Sequence, residues 1–179
     1  MTDDDVLQFW FEESQPSQWF IRDHAFDREI STRFATLHEA AREGELYTWR
    51  EEASGALAEI IVLDQFPRNM FRGSPKAFAT DTLALILAQE AVRRKLDKSL
   101  NTTQKAFLYM PFMHSESPLI HQVAEYLFNQ PGLEENYNFE IKHKAIIDRF
   151  GRYPHRNEIL GRQSTAQELE FLKQPGSSF

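Results

Sequence analysis

A run of polar residues follows an apolar helix in this chain of 179 residues, and it is the first candidate for chemistry. Helical spacing places Leu57, Ile60 and Ile61 on one stripe, and Asp64 occupies the next position on that stripe. A carboxylate there costs stability, because it replaces a core residue near the negative end of the helix dipole. We therefore interpret Asp64 as an acid/base candidate. The ligand-binding candidates that follow it are Arg68, Asn69 and Arg72.

The second candidate segment is rich in arginine. Residues 148–162 contain four arginines and only two carboxylates, although the whole chain is acidic. Guanidinium groups bind carboxylate or phosphate through paired hydrogen bonds, so this segment and residues 64–73 would form an anion pocket if they converge. The alternative is that Asp64 pairs with Arg68 or another arginine and only ties helices together. The ligand-binding candidates of this segment are Arg149, Arg152, His155, Arg156 and Asn157.

Histidines form the third group. His114 and Glu116 lie in one loop, His121 begins the next helix, and His143 lies on an apolar stripe. We take His114 and Glu116 as acid/base candidates and His143 as a ligand-binding candidate. The spacing matches no metal signature such as His-Glu-x-x-His, so we expect no bound metal. A histidine on an apolar stripe is more often a hydrogen-bonded core residue.

Composition and charge exclude several functional classes. The chain has 20 basic and 27 acidic residues, a net charge of −7, so we expect no nucleic-acid or anionic-membrane partner. It has no cysteine and therefore no disulfide framework or thiol nucleophile. It also lacks a glycine-rich phosphate loop or a dinucleotide fingerprint, so we expect no cofactor. The acidic N-terminus does not resemble a secretory signal, and we predict a soluble, cytoplasmic protein.

The elements that position these candidates are predicted to be helices throughout. Apolar residues recur at helical spacing, and alternating or β-branched runs typical of strands are missing. The run 83–88 is apolar on every side, which predicts the most buried helix, and Pro111 is expected to end a short helix. Phe139 is predicted on the buried stripe of a later helix. The predicted helices cover about 6–12, 26–41, 51–64, 75–95, 106–110, 118–128, 139–150 and 166–172.

These features predict an all-α protein with seven or eight helices. The length suits one compact domain, and no change in composition divides the chain. We predict a single helical domain over residues 1–174 and a frayed tail over residues 175–179, where Pro175 and Gly176 precede two serines.

Four separate segments also carry a resemblance to a known family. Residues 6–11, 63–73, 109–116 and 148–162 together resemble the bacterial family called domain of unknown function 924. The resemblance spans almost the whole chain. It implies an all-helical fold similar to tetratricopeptide-like helical domains, with packed helix hairpins, and it implies no particular activity.

Two functional hypotheses follow. In the first, the protein binds a small anionic molecule in a polar pocket, and it either only holds this ligand or acts on it as an enzyme. In the second, it is a tetratricopeptide-like module that binds a protein or peptide between helix pairs, and the polar motifs only fasten the helices. The sequence leaves the oligomeric state open.

Overall fold

The computed structural model describes residues 1–178, and every regular element in this range is helical. The prediction of an all-α fold is therefore confirmed. Two of the helices, Ala53–Asp64 (α3) and Phe66–Met70 (α4), are separated only by Gln65, whose backbone is also helical, so they form one bent helix. When this pair counts once, the described residues contain eight helices. The helices are α1 Asp3–Gln8, α2 His24–Arg42, α3 Ala53–Asp64, α4 Phe66–Met70, α5 Asp81–Arg93, α6 Thr102–Met113, α7 Pro118–Phe128, α8 Glu134–Phe150 and α9 Ala166–Phe171. None of these helices is long and apolar enough to cross a bilayer.

Helix α3 is the centre of the fold. Every residue from Gly55 to Asp64 is buried, and α1, α2, α5 and α6 all pack against this helix. The prediction that residues 83–88 form the most buried helix is wrong. Only the alanine face of α5 is buried, and Ile86 is 54% exposed. Small side chains allow α5 to approach α3 closely, which leaves its larger residues on the outside.

The predicted helix over residues 75–95 is in fact divided. A single 3-10 turn, Pro75–Phe78, precedes α5, and the Thr80 hydroxyl donates a hydrogen bond to the Leu63 carbonyl at 2.6 Å. This bond fixes the turn to the C-terminal end of α3. As a result, Asp81 lies in the first turn of α5 close to Asp64 and Arg68.

Two further expectations about helices are corrected. Pro111 does not end its helix: α6 continues to Met113, because Phe112 and Met113 are buried and proline removes only one main-chain hydrogen bond. Phe139 is exposed rather than buried. The inward position on α8 belongs instead to Glu140, which pairs with a buried histidine of α7.

The chain end folds back on α9. The Ser177 hydroxyl donates a hydrogen bond to the Leu172 carbonyl at 3.1 Å, and Ser177 is buried. The last residue of the predicted frayed tail, Phe179, lies outside the described residues.

Candidate functional site

A buried carboxylate and a histidine form the centre of the candidate site. The Asp64 carboxylate, at the end of α3, lies 2.8 Å from Nδ1 of His114, the residue that follows α6. The Gln65 amide donates to the other carboxylate oxygen at 2.5 Å. A carboxylate in this position accepts the Nδ1 proton and leaves Nε2 as the basic atom of the ring. We call this pair the Asp64–His114 dyad.

Nε2 of His114 is available to a ligand. Within residues 1–178 it has no hydrogen-bond partner, and the His114 side chain remains 14% exposed. Burial and the nearby Arg68 lower the pKa of His114 in spite of Asp64, which acts in the opposite direction. A lowered pKa keeps the imidazole neutral at pH 7, as a proton acceptor must be.

The Asp64 carboxylate is ionised although it is fully buried. Burial by itself would raise its pKa, but the His114 and Arg68 side chains outweigh this effect and lower the pKa to about 2. Arg68 lies one helical turn further along, with Nη1 3.4 Å from the carboxylate, and it also donates to the Asp64 carbonyl. The predicted pairing of Asp64 with Arg68 is therefore present, but Arg68 has a stronger partner.

That stronger partner is Asp81. Arg68 donates two hydrogen bonds to the Asp81 carboxylate, at 2.9 and 3.0 Å. Arg156, from the segment over residues 148–162, donates to the same carboxylate at 3.3 Å. Asp81 thus joins the two segments that were predicted to converge, residues 64–73 and residues 148–162. We call Arg68 and Arg156 the arginine pair.

Arg156 has fewer hydrogen bonds than a buried guanidinium needs. Only 5% of the residue is exposed, yet its Nε has no partner among the described residues, and the long bond to Asp81 is the one hydrogen bond that the described structure gives it. Its guanidinium lies between the rings of Phe78 and Tyr153, with centroids 4.5 and 4.7 Å away. Aromatic faces stabilise the positive charge but accept no ordinary hydrogen bond. The Nε–H group of Arg156 is therefore a buried donor without an acceptor among the described residues.

The backbone of the loop that carries His114 is fixed by hydrogen bonds from two buried side chains. The Tyr153 hydroxyl donates to the Met113 carbonyl at 2.5 Å, and Nε2 of His121 donates to the Ser115 carbonyl at 2.8 Å. The hydroxyl and Nε2 are themselves 3.2 Å apart. The two peptide carbonyls on either side of His114 are thus fixed.

His121 has a buried carboxylate on its other nitrogen. Nδ1 lies 2.7 Å from Glu140, and both residues are fully buried. Because Nε2 carries a proton for the Ser115 carbonyl, the second nitrogen and the carboxyl group share one further proton. Burial raises the pKa of Glu140 in spite of the histidine beside it.

Two other predicted histidines lie against the Tyr153 ring. His143 and His155 have ring centroids 5.8 and 5.7 Å from it, and Nδ1 of His143 donates to the Phe139 carbonyl at 2.7 Å. Burial lowers the pKa of His143 to about 3, and burial together with Arg156 lowers that of His155 to about 4. Both rings are therefore neutral at pH 7. His143 also lies within electrostatic range of His114.

Glu116 is in the same loop but faces a different partner. Arg162 donates to its two carboxylate oxygens at 2.6 and 2.9 Å, and the Tyr153 backbone N–H donates at 2.7 Å. Arg162 in turn donates to the Asn157 side chain at 2.9 Å. Although Glu116 is partly buried, Arg162 lowers its pKa. This network fastens the loop to the segment after α8.

The remaining predicted residues lie elsewhere. Asn69 and Arg72 both donate to Asp27 of α2, with the bonds from Arg72 at 2.7 and 2.8 Å. Arg152 donates to Glu168 at 2.6 and 2.8 Å and holds the start of α9. Arg149 is exposed and lies over the ring of Phe150. The structure does not bring these four residues to the Asp64–His114 dyad.

Sequence reasoning missed three residues of the site, namely Asp81, Tyr153 and Arg162. Asp81 looks like an ordinary acidic residue within the predicted helix over residues 75–95, and Tyr153 like an ordinary loop aromatic. One feature of the sequence could have indicated Tyr153. It lies next to Pro154, which favours a tight turn, and the turn brings Tyr153 and Arg156 close together. Among residues 1–178, no group of three histidine or acidic side chains is arranged to hold a metal ion.

A surface depression of about 390 Å³ lies between the end of α7 and the start of α8. Phe128, Gln130 and Tyr137 are among its lining residues. It contains none of the residues of the dyad or the arginine pair.

Fold and site together define an all-helical protein with a buried Asp–His dyad beside two arginines. The chain belongs to the family described as bacterial protein of unknown function (DUF924), whose family model matches residues 6–176. It is also similar to a solved structure, a protein of unknown function from Agrobacterium tumefaciens. The two are 42% identical with a TM-score of 0.89, and 96% of each chain is covered. A comparison with curated proteins found no match.

Proposed function

We propose that this protein binds a small anionic ligand at the arginine pair and exchanges a proton with it through His114. The observation that carries the proposal is the combination of a buried Asp64–His114 dyad with an accessible Nε2 and a buried Arg156 whose Nε–H group lacks an acceptor. An acceptor-rich anion would satisfy that donor, and a neutral imidazole beside it would accept a proton.

Each residue has a separate role in this proposal. Asp64 holds the Nδ1 proton, so that the ring keeps one tautomer and one orientation. His114 takes up and returns the proton at Nε2. Arg156 binds the anion through its planar fork, and Arg68 holds Asp81 so that this carboxylate does not satisfy Arg156 fully. Glu116 acts by holding the loop.

A thermal-shift screen of the purified protein against carboxylates, phosphates and sulfate tests the proposal. A ligand at 100 times its dissociation constant should stabilise the folded state by about 2.7 kcal/mol, a shift of roughly 5–10 °C for a chain of this size. Arg156→Lys should abolish the shift, because an ammonium lacks the paired donors. Arg149→Lys is the matched control and should keep it. No shift with any anion would contradict the proposal.

The second candidate function is that of an interaction module, and one observation favours it. Leu119, Val123 and Tyr126 form an exposed apolar stripe on α7. We propose a second copy of the chain as the partner in that case. Sedimentation velocity should then show self-association that Tyr126→Glu abolishes and Tyr47→Glu, at another exposed tyrosine, does not. A monomer at all concentrations would contradict this candidate.

A further inference from the structure

The proposed ligand site has balanced charges before a ligand enters, and this limits which anion it accepts. The charged groups around His114 and Arg156 come from three helices, from the segment after α8 and from the loop that carries His114, where the Glu116–Arg162 ion pair adds no net charge. Asp64 of α3 and Asp81 of α5 are negative, and Arg68 of α4 and Arg156 are positive. Two negative and two positive charges sum to zero.

The histidines around the site add no charge at pH 7. His143 of α8 and His155 of the following segment are neutral, and so is His114 itself. Gln65, the remaining polar neighbour of the dyad, is uncharged. An anion that binds here therefore leaves a partly buried site with a net negative charge unless something else changes.

His114 is the group that can change. Its Nε2 is accessible, and a bound anion beside it would stabilise the imidazolium form. We infer that the site takes a monoanionic carboxylate and that one proton from solvent binds to Nε2 of His114 as the ligand enters. This inference rests on the proposed function. It adds the class of the ligand and the dependence of its binding on pH.

Shape and charge favour a carboxylate over a dianion. Arg156 is confined between two aromatic rings, so a ligand approaches the edge of its fork, where two parallel N–H groups match the two oxygens of a carboxylate. One carboxylate and one proton restore a net charge of zero. A dianion such as sulfate leaves one negative charge uncompensated even when His114 is protonated.

The test is a pair of titrations of the full chain. Each titration is monitored by NMR through the imidazole nitrogen signals of the histidines. Sodium acetate and sodium sulfate are added separately at pH 6, 7 and 8, and acetamide is the uncharged control of the same shape. Acetate should convert His114 to the imidazolium form at saturation. Its dissociation constant should rise about tenfold per pH unit between the pKa of His114 in the free and bound states. Acetamide should bind much more weakly.

The outcomes separate this inference from the proposed function. If sulfate binds more tightly than acetate, or if acetate binds without protonating His114, the inference is wrong while the anion site stands. If neither anion perturbs His114, both are wrong. His114→Gln should remove the pH dependence of acetate binding, and His24→Gln, at an exposed histidine, should retain it.

Discussion

At the level of single residues, several donors stabilise the Asp64 carboxylate. His114, Gln65 and Arg68 all contact it, and Arg68 keeps two bonds to Asp81 as well. Removing Asp64 therefore leaves Nδ1 of His114 without its acceptor and leaves the Gln65 amide with only the Met110 sulfur, a weak acceptor, while Arg68 remains paired. The cost comes from unmet donors more than from an unpaired arginine.

We predict that Asp64→Ala lowers the free energy of unfolding by about 3 kcal/mol, the upper end of the range for leaving buried donors unsatisfied. It should also lower the pKa of His114 further, because Asp64 is the main group that raises it. Urea denaturation and histidine NMR measure the two effects. Asp148→Ala is the control, since Asp148 is exposed and forms only a surface pair with Lys144. A loss below about 1 kcal/mol would contradict the prediction.

The sequence identified some of these residues for local reasons and missed others for nonlocal ones. Asp64 stands out because it breaks an apolar stripe within its own helix. Arg156 cannot be distinguished from Arg149 or Arg152, because the turn after α8 and the packing of that segment against α5 decide which arginine points inwards. The role of Asp81 depends on a contact across 75 positions of the chain, which no local pattern encodes.

At the level of elements, the position of the loop after α6 depends on two buried groups, one phenol hydroxyl and one imidazole. Tyr153 and His121 bind the carbonyls on either side of His114. We regard them as positioning residues, since they bind the backbone carbonyls next to His114. Helical periodicity predicts the start of this loop only to within a few residues, because it ended the helix before Pro111 whereas α6 continues to Met113. It does not predict which side chains bind the loop backbone.

We predict that Tyr153→Phe changes the pKa of His114 and broadens its NMR signals, because the Met113 carbonyl loses its donor and the loop gains freedom. Tyr109→Phe is the matched control. It also removes a fully buried phenol hydroxyl, which binds Asp97 at 2.7 Å, but it leaves the loop intact. Both variants should lose stability. If His114 responds equally to both, Tyr153 has no specific effect on the loop.

A second prediction at the level of elements concerns the close contact between α3 and the turn that contains Trp49. A Cβ at Gly55 would lie 2.2 Å from the Trp49 carbonyl oxygen, so the backbone must move to admit any side chain. Gly55→Ala should lower the free energy of unfolding by about 3 kcal/mol, although alanine favours helices by roughly 1 kcal/mol. Chemical denaturation checks this value, with Ser54→Ala as the neighbouring control. A stabilised Gly55→Ala variant would show that the contact is looser.

At the level of the whole molecule, buried neutral histidines make stability depend on pH. The pKa of His143 is about 3 and that of His155 about 4 in the folded state, below the ordinary value near 6.5 in an unfolded chain. The unfolded state therefore binds more protons between about pH 4 and 6.5, and stability falls as the pH decreases through this range. The raised pKa of Glu140 offsets part of the effect at the lower end.

We predict that stability decreases by about 2 kcal/mol between pH 6 and pH 5, since each buried neutral histidine contributes up to about 1.4 kcal/mol per pH unit. The ionised Asp64 adds to this loss only below about pH 4, as the pH falls towards its folded pKa of about 2. Urea denaturation across pH measures the slope. His143→Phe should reduce it by about 1 kcal/mol per pH unit and His24→Phe should not. A flat profile above pH 5 would contradict the prediction.

The central claim is that the Asp64–His114 dyad and Arg156 form one anion site, and histidine NMR tests it most directly. Spectra are recorded at pH 7 with and without saturating acetate, on the wild type and on Arg156→Lys. We predict that free His114 is neutral with its proton on Nδ1, and that acetate shifts its Nε2 signal in the wild type only. A protonated His114 in the free protein, or an Nε2 signal that acetate leaves unchanged, would contradict the account.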